Sequence, residues 1–168
     1  INFICGQQNS TGVGSCIQTL QADIQYNNEF TNCNFTGNFS LCYQSSIGHG
    51  STTFSYCELY AKDSCIHYFS QQGPKDLNLI HCKLKSGSSH NVYTHPWNNH
   101  VFDNVVSHGT GRGKNAINIY CTTVLDFKNT ICKFQNCSNS NDATTGIGTG
   151  KPMWRISSPG AIVQINNC

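Results

Sequence analysis

Charge is the scarcest property of this chain: Asp, Glu, Lys and Arg make up 11% of its 168 residues, where about a quarter is ordinary in globular proteins. The formal net charge is +2 and Lys and Arg form no run, so the counterion release that drives nucleic-acid binding would be small. Nucleic acid is therefore not an expected partner. Only 5 Ala and 7 Leu are present, and Glu–Lys pairs at a spacing of four are nearly absent, which excludes an all-α fold. No apolar stretch approaches the roughly 18 to 20 residues that cross a bilayer, so no membrane insertion is expected. Ile1 is preceded by no basic region and reads as a processed or excised start.

In place of charge stand 20 Asn, 17 Ser, 14 Thr and 15 Gly, together 39% of the chain, a polar surface without ions. A hydrophobic fraction of 38%, rich in Ile, Val, Phe and Tyr, supplies a core suited to strands in one domain, residues 1–168. Cysteine is abundant, with eleven residues: Cys5, Cys16, Cys33, Cys42, Cys57, Cys65, Cys82, Cys121, Cys132, Cys137 and Cys168. Their single close pair, Cys132 and Cys137, cannot make a zinc ribbon, which needs two matched pairs. No metal or other cofactor is expected. Disulfides in a secreted or cell-surface protein are the expectation instead, with one thiol left over by the odd count. The sequons at Asn9, Asn34, Asn38 and Asn136 fit a secretory route and N-glycosylation, although chance alone yields about as many in so Asn-rich a chain.

A repeat organises the sequence. Phe30-Thr31-Asn32-Cys33-Asn34-Phe35, Phe54-Ser55-Tyr56-Cys57-Glu58-Leu59 and Leu79-Ile80-His81-Cys82-Lys83-Leu84 share the pattern apolar-x-x-Cys-x-apolar, their cysteines 24 and 25 residues apart. Weaker copies follow at Val101–Val106, Phe127–Cys132 and Phe134–Cys137, and the chain ends on Ile165-Asn166-Asn167-Cys168. A second apolar phrase comes about nine residues after the first: Leu41-Cys42-Tyr43, Ser64-Cys65-Ile66, Asn91-Val92-Tyr93 and Ile117–Tyr120. Each repeat thus holds two or three short strands separated by Asn, Ser or Gly turns, and none has the helical stretch of a βαβ unit. Leucines are too few for a leucine-rich repeat. Residues 138–150 (SNSNDATTGIGTG) read as an exposed loop.

Repeats of this length with one phase for identical residues resemble the right-handed parallel β-helix, the all-β solenoid of pectate lyases, polygalacturonases, phage tailspikes and many surface proteins. The Phe-x-Asn-Cys phrase, with Asn at a turn, carries the resemblance. It implies about seven rungs, with Cys33, Cys57 and Cys82 in one stack and Cys42 and Cys65 in another. Successive rungs lie about 4.8 Å apart, within the window of about 4.4–6.8 Å for the Cα atoms of a disulfide. Rung-to-rung disulfide staples are the expectation, and buried reduced thiols the alternative.

The chemistry of the resembled enzymes needs clustered acids, and here Asp103 and Asp126 alone are spaced to stack, as an acid–base pair or cation site. Residues 89–112 gather His90, His95, Trp97, His100, His108 and Arg112, a candidate glycan groove in which rings face sugars and Arg112 holds a uronate or acts as base. Neither a Walker A loop nor a G-x-S-x-G elbow occurs. The reading favoured is an extracellular structural or adhesive rod that self-associates end to end, because both chain ends look like uncapped apolar strands. The alternative is a polysaccharide-binding or polysaccharide-degrading domain, against which the scarcity of clustered acids counts.

Overall fold

A computed structural model of the chain describes residues 1–5, 14–19, 25–37, 41–45, 49–68, 75–87, 90–94, 99–109, 117–120, 131–141, 154–157 and 162–168. Eighteen strands and no helix occur among the described residues. They form three six-stranded sheets, parallel at every pairing, in which each strand neighbours the third strand before it and the third strand after it. The first sheet holds β1 (Asn2–Cys5), β4 (Asn34–Gly37), β7 (Glu58–Ala61), β10 (Lys83–Ser86), β13 (Val106–Gly109) and β16 (Ser138–Asn141). The second holds β2 (Ser15–Thr19), β5 (Leu41–Ser45), β8 (Ser64–Tyr68), β11 (Val92–Thr94), β14 (Ile117–Tyr120) and β17 (Trp154–Ser157). The third holds β3 (Gln25–Thr31), β6 (His49–Ser55), β9 (Lys75–Ile80), β12 (His100–Asp103), β15 (Ile131–Gln135) and β18 (Ile162–Asn166). The described strands therefore visit the three sheets in turn and make six circuits.

The tightest corner joins the third sheet to the first, and one residue sets it on every circuit. Asn32, Tyr56, His81, Asn104, Asn136 and Asn167 all have φ between 51° and 54°, the left-handed region that Asn tolerates best among residues with a side chain. Each of the first five donates its amide to the carbonyl one circuit on: Asn32 to Ser55, Tyr56 to Ile80, His81 to Asp103, Asn104 to Gln135 and Asn136 to Asn166, at 2.8–3.0 Å. Two residues later the ladder resumes, as Glu58, Lys83, Val106 and Ser138 donate back to the carbonyls of Cys33, Cys57, Cys82 and Val105. The ladder thus continues on both sides of the corner. These corners recur after 24, 25 and 23 residues and then after 32 and 31, which is why the described strands make six circuits where a uniform repeat leads one to expect seven.

Alternation within each strand sends every second side chain inward, and the parallel register stacks equivalent residues into columns. Phe30, Phe54, Leu79, Phe102, Phe134 and Ile165 form the longest apolar column. Phe54 lies 4.8 Å from Phe30 in a stacked pair, and meets Phe35 and Tyr43 edge-on at 5.9 and 5.6 Å. Phe102 stacks on Phe134 at 5.0 Å. Glycine is required at position 87, where a Cβ would stand 2.6 Å from the carbonyl oxygen of Lys62. The first four residues of the segment expected as a loop at 138–150 are strand β16, paired in register with β13; residues 142–150 lie outside the described residues.

The cysteines depart most from expectation. Cys33, Cys57 and Cys82 do stand at one phase, joined further along by Cys137 and Cys168, yet none of the nine described cysteines is in a disulfide. Strict register explains this. Parallel translation sets neighbouring Cβ atoms as far apart as the strands, about 4.8 Å, whereas a disulfide wants Cβ atoms about 3.8 Å apart. The Cα separation admits a bridge and the Cβ separation opposes it. Cys5 lies in β1 with its side chain outside the described residues, as does all of Cys121.

Candidate functional site

The corner thiols have a constant environment. The sulfurs of Cys33, Cys57, Cys82, Cys137 and Cys168 each lie 3.2–3.4 Å from the carbonyl two residues earlier. Cys57, Cys82 and Cys137 also lie 3.3 Å from the carbonyls of Phe30, Phe54 and Phe102, one circuit back. Burial pushes the thiol pKa of Cys33 and Cys137 up, and that of Cys132 up to about 11. Cys57 is the exception: the S–H of Cys82 and then the backbone amide of Cys33, with a smaller part from the Cys33 S–H, hold its pKa down at about 6 against the opposing effect of burial. Cys57 sits between two thiols and is the one that ionises first; Cys82, the donor to it, is pushed up. A second column places Cys16, Cys42 and Cys65 on the second sheet, where burial and the Cys65 thiol raise the pKa of Cys42 well above the ordinary value. It ends on Asn91, which takes the Cys65 thiol at 3.7 Å and donates to Ser107 at 2.6 Å.

Of the candidate glycan groove, the described residues His90, His100 and His108 are not brought together. His90 lies ahead of β11 beside Tyr93, ring centroids 5.6 Å apart, with His67 of the previous circuit 4.8 Å from Tyr93. His100 points into the core from the third sheet, buried, with a hydrogen bond of 2.9 Å between its Nε2 and Thr94. His108 is on the first sheet, in register with Lys85 and Ser140. Three histidines close in sequence thus lie on, or in the case of His90 just ahead of, strands of three different sheets. His95, Trp97 and Arg112 lie outside the described residues.

Of the carboxylate pair, only Asp103 is described. Asp103 has Ile80 and Gln135 as its register partners on the two sides, and its Oδ1 accepts the amide of Asn104 at 2.9 Å. Asp126 lies outside the described residues. Among the described residues no group of three or more His, Cys, Asp or Glu is placed to hold a metal ion. Of the sequons, Asn34 faces outward from β4 with its Oδ1 buried and unpartnered, and the Oδ1 of Asn136 accepts the side-chain amide of Asn167 at 2.9 Å; Asn9 and Asn38 lie outside the described residues.

Two surfaces stand out instead. One is the end of the stack. Val163 and Ile165 continue the inward columns of Cys132 and Phe134, yet they are 42% and 52% exposed because no described strand lies beyond β18. The corner that would begin a further circuit is already formed: Asn167 is left-handed, and the Cys168 sulfur accepts the Cys137 amide at 3.3 Å. At the opposite end Ile1 occupies the cysteine phase, its carbonyl taking the Asn34 amide at 2.9 Å and its amine donating to the Asn32 carbonyl at 3.0 Å. The other surface is the corner itself, where Tyr56 and His81 stack with ring centroids 4.8 Å apart and planes 6° from parallel. A uniform Asn rule hides these two rings in the sequence, although their departure from Asn at a repeated phase is the signal that could have found them. No family model, curated protein or solved structure matches the chain.

Proposed function

We propose that the chain is a segment of a right-handed parallel β-helix that serves as an extracellular structural or adhesive rod and lengthens by end-to-end stacking. The supporting observation is the uncovered last circuit: Val163 and Ile165 are at core phase but exposed, beside the free hydrogen-bonding edge of β18. A second copy presents β1, β2 and β3 at the matching phase on its first circuit, so each end is a template for the other and the contact does not close on itself. The Asn-, Ser- and Thr-rich, weakly charged surface and the sequons support the extracellular placement.

Sedimentation velocity and electron microscopy of the purified chain test the proposal. Concentration-dependent linear assembly is expected, lost in Val163→Lys/Ile165→Lys with the β-sheet circular dichroism unchanged. A wild-type chain that stays monomeric at millimolar concentration overturns it.

A further inference from the structure

Four of the six left-handed corner residues are Asn and two are not. In this backbone region a bulky residue such as Tyr is an outlier that costs on the order of 1–3 kcal/mol, whereas His, like Asn, is enriched there. The corner does not need the rings. Asn32 and Asn104 make the same amide-to-carbonyl bond, at 3.0 and 2.9 Å, that Tyr56 and His81 make at 2.9 and 2.8 Å. What sets the pair apart is on the outside: Tyr56 is 58% exposed, His81 is exposed, and the two rings stack on each other. Asn32 and Asn104 hold the same corner on the circuits either side, with side chains shorter than the two rings, and the Asn104 amide donates to Asp103 at 2.9 Å. Lys83 and Glu58, two residues along, pair with each other at 2.8 Å, and Asp103 adds a negative charge next to Asn104. With its cation already paired and a carboxylate nearby, the patch suits an uncharged ligand better than a polyanion.

We propose that the Tyr56–His81 corner is a binding site for a neutral glycan, whose sugar rings lie against the outer ring faces and whose hydroxyl groups bond to the flanking Asn amides. The site is on the side of the rod and independent of end-to-end stacking.

Replacing both rings by the residue of the sister corners, Tyr56→Asn/His81→Asn, separates recognition from folding. Relief of the backbone strain should raise the thermal midpoint, while binding is lost, the trade expected where a protein gives up stability for a site. Binding would be measured by isothermal titration with soluble α-glucan, β-glucan, mannan and galactan, in the Ile165→Lys background so that assembly does not contribute. At least one polymer should bind the parent, and the double variant should bind it at least tenfold more weakly. The proposal is overturned if none of the four binds the parent at millimolar sugar concentration, if the variant binds within twofold of it, or if the variant melts lower, which would make the rings structural.

Discussion

Truncation of Phe54 measures how much of the fold depends on the ring cluster in the first three circuits. Phe54 is fully buried and meets Phe30 at 4.8 Å, Tyr43 at 5.6 Å and Phe35 at 5.9 Å. A buried Phe→Ala change costs about 3–5 kcal/mol through lost transfer energy and the cavity left behind. Each aromatic contact adds about 0.5–1.5 kcal/mol beyond area burial. Phe102 is equally buried but stacks on Phe134 at 5.0 Å and, more distantly, on His100 at 6.3 Å. Phe54→Ala should therefore cost about 1–2 kcal/mol more than Phe102→Ala, because it surrenders more close ring contacts. Against a total stability on the order of 5–15 kcal/mol, Phe54→Ala can unfold the chain outright, so Phe54→Leu and Phe102→Leu form the milder pair. Urea titration followed by circular dichroism gives the midpoints, and native-state hydrogen exchange shows whether the loss is confined to neighbouring circuits. Equal costs at the two sites, within about 0.5 kcal/mol, would refute the view that the three-ring surround of Phe54 makes it the better-anchored position.

Thiol reactivity provides a second check. Among the nine described cysteines, exposed Cys168 and half-buried Cys16 should react quickly with a thiol reagent in the folded protein, and the seven buried ones only on unfolding without reductant; a deficit in the unreduced, unfolded chain would reveal disulfides. The pH dependence provides a third. The Cys57 pKa is about 6 in the fold against an ordinary 9.0, so its contribution is complete above pH 9 and is lost as pH falls through 6. Cys33, Cys82, Cys132 and Cys137 are raised above 9.0, so their contribution is present below pH 9 and declines at higher pH. Stability should climb from pH 6 to 9 and fall beyond it; in Cys57→Ala the climb should disappear, and an unchanged profile would refute the assignment.

The architecture was readable where a residue type acts locally and recurs. Asn at the left-handed corner and a small buried thiol after it give the phrase Phe-x-Asn-Cys, and any chain that must turn the same corner on each circuit repeats it. Two things were not readable. The disulfide expectation used the distance between strands but not the direction of the side chains, which strict register keeps parallel. The separation of the three described histidines was the other, because a circuit divides among three sheets: residues eight or ten apart, such as His90, His100 and His108, are neighbours in sequence and land on different sides. Residues 24 or 25 apart, such as Tyr56 and His81, are the ones that touch.

The direction of the backbone hydrogen bonds has a mechanical consequence. Every ladder joins one circuit to the next, so the bonds run along the stacking direction and three ladders span each gap side by side. Tension applied along the stack is shared among these ladders, and no gap opens until all three yield together. A sideways load on a single corner peels one circuit at a time. The molecule should resist an axial pull far better than a lateral one, the behaviour of a cable with a grain.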